Sequence, residues 1–184
     1  MAPGCVGVPE CVGIEVEEGI GQLNSPAIPI LHQHHVSISV PDMEEAISWY
    51  GDILGFAVHS RFNIEAISAQ GAFLRRDAYW IELWRVGAGA PVPVSRRNPD
   101  TDLLTGGTKH MAFRVPDLQS HLSELVSRGV DIAAVQRDPT EPMKGEADPA
   151  APNERPAFAA FIRDPAGTLI ELLDHGALAR MNMI

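Results

Sequence analysis

From His35 to Val40 the side chains alternate. Val36, Ile38 and Val40 fall on one side, and His35, Ser37 and Ser39 fall on the other. A period of two marks a strand with one face buried. Pro41 stops the run, and Asp42 is placed to cap a helix, with Glu45 three residues on in a capping-box-like position. Ala46, Ile47, Tyr50 and Ile53 or Leu54 then recur at helical spacing, and Gly55 ends the helix. The pattern returns at His110. Met111, Phe113 and Val115 take the apolar side of a second strand, while His110, Ala112 and Arg114 take the other. A second helix starts at Asp117, with Leu118, Leu122, Leu125 and Val126 as its stripe and Gly129 at its end.

The repeat extends to the ends of the two halves. AFLRRDAYWIELW (72–84) matches AFIRDPAGTLIELL (160–173), each a strand, a tight turn and a strand carrying Ile-Glu-Leu. Each half therefore predicts β-α-β-β-β, and the chain an α+β fold of two tandem βαβββ modules at 33–86 and 108–175. A Pro/Gly-rich linker at 87–107 joins them, with a leader at 1–32 and a tail at 176–184. His35 and His110 are 75 residues apart, whereas Glu82 and Glu171 are 89 apart. The excess fits a loop insertion at about 136–156, rich in proline and charge.

Composition narrows the partners. The net charge is −10, from 14 basic and 24 acidic side chains, with no basic stripe. Nucleic acid and anionic membrane surfaces are therefore excluded as expected partners, leaving a small-molecule substrate. No apolar run reaches membrane-spanning length, and the N-terminus has no basic segment followed by an apolar one. Cys5 and Cys11 are the only cysteines, which predicts free thiols in a cytoplasmic protein.

The chemistry lies on the faces turned away from the helices. Ile81 and Leu83 flank Glu82 on the packed side, and Ile170 and Leu172 flank Glu171 likewise. His35, Glu82, His110 and Glu171 thus project from the open faces, next to the small residues Ser37 and Ala112. Two imidazoles and two carboxylates suit an octahedral divalent ion with two positions open. Any one of them alone reads as an ordinary surface residue; their equivalent places in both copies favour a metal site. His32 has no counterpart, and His34 has the opposite strand parity or precedes the strand; both read as ordinary loop histidines, with the mouth of the site as the other place for His34. His59, His121 and His175 follow no recurring pattern. Trp80 and Trp84 share the face of Glu82, as a substrate wall or as packing aromatics. Arg114 shares the face of His110, to meet a substrate anion or, in the reading favoured here, a neighbouring acid.

The stretches HHVSISVPDMEEAISWYGDILGF, YWIELW, GTKHMAFRVPD and AFIRDPAGTLIELL together resemble the vicinal oxygen chelate superfamily. That superfamily includes glyoxalase I, methylmalonyl-CoA epimerase, extradiol dioxygenases and bleomycin-resistance proteins. The resemblance covers about residues 33–175. It implies incurved mixed sheets around one divalent ion per site (Ni, Co, Zn, Mn or Fe), with ligands at His35, Glu82, His110 and Glu171. It further implies a homodimeric lyase or isomerase of the glyoxalase I kind, or an epimerase. Such an enzyme stabilises an enolate or enediolate while a glutamate moves a proton. Glu171 is the leading base and Glu82 the second. Trp80, Trp84, Arg114 and Lys144 fall on the substrate side. Pro142-Met143-Lys144-Gly145 is similar to a Lys-Gly loop near the thiol-conjugate substrate of glyoxalase I, but about a dozen extra residues follow it here. A solvated loop lysine is the other reading. The alternatives to the lyase are an Fe(II) ring-cleaving dioxygenase and a non-catalytic binding protein of the antibiotic-resistance kind. The sequence leaves open whether the four ligands come from one chain or two.

Overall fold

The computed structural model describes residues 32–151 and 153–184. Cys5 and Cys11 lie outside the described residues. The first module runs β1 (Val36–Ser39), α1 (Met43–Leu54), β2 (Ala57–Ile64), β3 (Ala69–Arg76) and β4 (Tyr79–Val86). A connecting stretch holds the short helix α2 (Pro99–Asp102). The second module runs β5 (Met111–Val115), α3 (Leu118–Ser127), β6 (Asp131–Gln136), β7 (Ala159–Arg163) and β8 (Leu169–Asp174), followed by α4 (His175–Arg180). Each module forms one mixed four-stranded sheet, in the orders β1-β4-β3-β2 and β5-β8-β7-β6. Among the described residues only the pairs β1–β4 and β5–β8 are parallel. The fold is the α+β pair of βαβββ modules that the patterning predicts.

The helix ends form for the reasons the sequence suggests. Asp42 accepts hydrogen bonds from the backbone N–H of Glu44 and Glu45, both at 3.0 Å. Only this half of the capping box is made, since the Glu45 carboxylate has no hydrogen bond among the described residues. Asp117 accepts from the N–H of Ser120 at 3.1 Å. Gly55 and Gly129 follow their helices with φ of 70° and 71°, a conformation that costs glycine little.

The helix-bearing faces of both sheets merge into one core. Tyr50, Leu74, Ile81 and Leu83 of the first module join Leu118, Leu122, Ile162 and Ile170 of the second in one continuous buried cluster. Val126 is a correction to the predicted stripe. Leu122 and Leu125 already cover the core side of α3, and Val126, a further 100° round the helix, is 41% exposed. Polar ties cross the junction. The Tyr50 hydroxyl donates to Asp164 Oδ2 at 3.0 Å, and Arg128 donates to the Asp52 carbonyl at 3.0 Å. Burial, together with the Asp164 charge, pushes the Tyr50 phenol well above its ordinary range, and burial raises Asp164 in turn.

The segments expected as linker and tail carry structure of their own. Asp102 is buried and held by Arg96 at 2.7 Å and by Lys109 at 3.9 Å. Asp174 caps α4 through the N–H of Ala177 at 2.8 Å, and Ala177 and Leu178 are buried. The apolar content of Ala177-Leu178 is what ties down the last turn of the chain.

Candidate metal centre

Parallel pairing of β1 with β4 sets Ser37 opposite Glu82, with His35 just before the strand. His35 Nε2 lies 3.4 Å from Glu82 Oε2, and the Ser37 hydroxyl donates to the same oxygen at 2.9 Å. The second module repeats this. Ala112 stands opposite Glu171, and His110 Nε2 lies 3.2 Å from Glu171 Oε2. A third residue recurs as well. Phe73 pairs with Glu82 and sets its ring edge-on to His35 at 5.6 Å; Phe161 pairs with Glu171 and does the same to His110 at 4.9 Å. The repeated Ala-Phe of 72–73 and 160–161 was the sequence signal for these two rings.

The donor pairs fit a divalent ion. Neighbouring ligands on an octahedral ion with bonds of about 2.1 Å stand about 3 Å apart. Each His–Glu pair needs to close by only a few tenths of an ångström. The environments of the two carboxylates differ. Burial opposes the charge on Glu82, but contacts from Trp84, Ser37 and His35 outweigh it and hold its titration low. Burial dominates at Glu171 and raises it, against the pull of His110.

The first sheet's open face is lined with aromatic rings. Trp80 stacks on His34 at 5.6 Å, meets His59 edge-on at 4.8 Å, and carries the Arg75 guanidinium 5.3 Å from its centre. Trp84 meets Phe62 at 5.0 Å. The Phe62 ring lies over Gly71, where an added Cβ would come within 2.1 Å of it. His34 also places Nδ1 2.8 Å from Nδ1 of His35. Strand parity does not reach these two contacts, because His34 precedes β1 and His59 reaches Trp80 from β2, across the sheet.

The four implied ligands come together as two pairs. Among the described residues, no group of three or more His, Cys, Asp or Glu side chains converges. Trp80 and Trp84 stand with the first pair. Arg114 makes no hydrogen bond or ion pair among the described residues, which corrects the expected salt bridge: no acid lies opposite it, and it lines a cleft beside Phe113 and Tyr79 instead. Lys144 pairs its backbone with Val135 and its ammonium with Glu141 at 3.6 Å, and the side chain is exposed. Its contacts are with the inserted loop and β6 rather than with either His–Glu pair. A cleft of about 270 Å³ lies between β1 and β5, lined by Ser37, Ser39, Arg96, Lys109 and His110.

The profile of the Glyoxalase/Bleomycin resistance protein/Dioxygenase superfamily matches residues 32–172. The chain belongs to this superfamily. The uncharacterized protein YaeR of Escherichia coli K12 is 27% identical to it over 142 residues, covering 77% of this chain and 94% of YaeR. Solved structures share the glyoxalase-superfamily fold at low identity. The trypanothione-dependent glyoxalase I of Leishmania major superposes with a TM-score of 0.58 at 19% identity, over 84% of this chain and 94% of that one. The fosfomycin resistance protein FosX of Listeria monocytogenes, as a mutant with Mn(II) and a dihydroxypropylphosphonic acid, gives 0.50 at 14% identity, over 79% and 93%. No helix among the described residues is long and apolar enough to cross a membrane.

Proposed function

We propose that this chain is a metal-dependent enzyme of the glyoxalase type, a lyase or isomerase of a small molecule, working in the cytoplasm as a homodimer. The carrying observation is the repeated His–Glu pair, at 3.4 Å in one module and 3.2 Å in the other. Each pair offers half of a four-ligand set. The helix faces of both modules are already spent on the chain's own core. The open faces remain, and the first presents half-buried rings at Phe62, Phe73, Trp80 and Trp84 that a second copy would cover. In this reading His35 and Glu82 of one copy meet His110 and Glu171 of its partner, and two-fold symmetry makes two such sites.

His35, Glu82, His110 and Glu171 would hold a divalent ion, which when bound would supply Lewis-acid polarisation of the substrate carbonyl. Glu171 takes a proton from the carbon beside the substrate carbonyl and returns it to the adjacent carbon or to the other face. Glu82 is the second base, on the opposite side of the substrate. Trp80 and Trp84 form an apolar wall, and His34 steadies both Trp80 and His35. Support for the metal comes from the donor chemistry and from the Mn(II) held by FosX, a protein of the same fold.

The test combines metal content per chain, for wild type and Glu82→Gln, with solvent-deuterium exchange into the hemithioacetal of methylglyoxal and glutathione and into acyl thioesters. One ion per site, weakened in Glu82→Gln, with exchange into one of these substrates, supports the proposal. Retention of metal in Glu82→Gln with oxygen uptake on catechols replaces it with a ring-cleaving dioxygenase. Absence of metal after reconstitution leaves a binding protein.

A further inference from the structure

The junction between the modules is built twice, and the two versions differ. In one, the buried Tyr50 of α1 hydrogen-bonds Asp164 in the β7–β8 turn. The repeat puts Leu125 of α3 where α1 has Tyr50, each the eighth residue of its helix. Strand register puts Arg76 where the second module has Asp164, since Phe73 and Phe161 lie opposite Glu82 and Glu171, and Arg76 and Asp164 each follow three residues later. The second version therefore lacks a phenol ring and carries a cation in place of an acid.

A cleft of about 280 Å³ occupies this place. Leu125, Phe56, Phe113 and Tyr79 form its walls, with Arg76 and Arg114 beside them. Phe113 sits 6.0 Å from the ring of Phe56 and 6.0 Å from that of Tyr79, edge-on to both, so the walls favour a further ring. Arg76 donates through Nη1 to the Leu54 carbonyl at 2.5 Å, which leaves its other N–H groups available. Arg114 has no bond or ion pair among the described residues. Asp77 is the one acid among the described residues that line the cleft, in a chain whose net charge is −10. Two guanidiniums gathered beside an apolar slot, on an otherwise acidic protein, form an anion site with an aromatic floor.

We infer that this cleft binds a single-ring aromatic carboxylate, the ring replacing the missing phenol and the carboxylate facing Arg76 and Arg114. The volume lies at the small end of ligand pockets and limits the guest to about one ring. The inference is independent of the metal reading, because the cleft includes none of the four candidate ligands.

The experiment is isothermal titration of benzoate into the full chain, stripped of metal and again with added Mn(II). Binding of one benzoate per chain is expected, equal in both conditions. Arg76→Gln should weaken it about tenfold or more, as loss of a charge-assisted hydrogen bond does, and benzyl alcohol should bind weaker by a similar factor. Leu125→Tyr fills the slot and should abolish binding. Leu125→Tyr with Arg76→Asp copies the Tyr50–Asp164 pair into the second junction, and should abolish binding while raising the melting temperature. Because Arg76 is exposed, Arg76→Gln keeps the test valid if the tyrosine variants do not fold. The inference is overturned if wild type does not bind benzoate, if binding survives Arg76→Gln unchanged, or if binding requires Mn(II).

Discussion

Tyr50→Phe removes one oxygen atom from the middle of the molecule. Tyr50 is 0% and Asp164 4% exposed, so water does not replace the lost bond. Asp164 keeps a hydrogen bond to its other oxygen, from the Thr168 N–H at 2.7 Å. A hydrogen bond to a charged buried group contributes about 1.5–3 kcal/mol. Because Asp164 keeps the Thr168 bond and is not left wholly unpaired, the expected loss lies in the lower half, about 1.5–2 kcal/mol. For a chain of this size each kcal/mol lowers the melting point by about 2–4 °C, giving about 3–8 °C. The assay is thermal unfolding at neutral pH, with urea titration for the free energy, on Tyr50→Phe, Asp164→Asn and the double variant. The two single losses should be strongly non-additive, because both remove the same bond. A Tyr50→Phe shift of under about 1 °C, or additive losses, would refute the cross-module tie. The pH dependence follows with a definite sign. The folded phenol titrates well above the unfolded value near 10. Its contribution is therefore intact below about pH 10 and lost as pH rises toward the folded value. Wild type should lose more of its melting temperature above pH 10 than Tyr50→Phe does.

Three further outcomes are expected. Gly71→Ala drives a methyl into the Phe62 ring, and should cost about 1–3 kcal/mol and change the Trp84 near-ultraviolet signal, since Phe62 packs on Trp84; an unchanged spectrum would contradict the packing of Phe62 on Gly71 and Trp84. Leu122→Ala, fully buried in the shared core, should cost about 2–5 kcal/mol and still unfold in one transition. Separate melting of the two modules in calorimetry would contradict a common core. Lys144→Ala should change stability by under about 0.5 kcal/mol and leave metal content unaltered, because its side chain is exposed and, among the described residues, pairs with Glu141 alone; a loss of metal would place the inserted loop at the centre.

Much of this was legible in the chain itself. Alternation placed His35 with Ser37 on one face, and the two Ile-Glu-Leu strands placed Glu82 and Glu171 to meet the two histidines. Period and repeat act within a strand and its neighbour, and there the reading carried through. What acts across elements was not legible. Trp80 collects His34 and His59 by packing, which strand parity does not encode. Tyr50 finds Asp164 across the module junction, where no local pattern links the two. Arg114 was assigned an acid that the fold does not bring to it, and Val126 a core place that Leu125 already fills. The proposed pairing of half-sites between chains lies further still beyond local pattern, since it would depend on surfaces that meet only on association.

The most direct measurement of the central claim is subunit mixing. His35→Ala/Glu82→Ala and His110→Ala/Glu171→Ala chains are each freed of metal, mixed in equal amounts, allowed to exchange subunits, reloaded with Mn(II), and assayed for tightly held ion. Each parent alone should retain almost none. If sites form between copies, half the dimers are mixed and each mixed dimer has one intact site, so about a quarter of all sites should refill. Refilling of none, while wild type treated identically regains its full complement, would contradict a site shared between two chains.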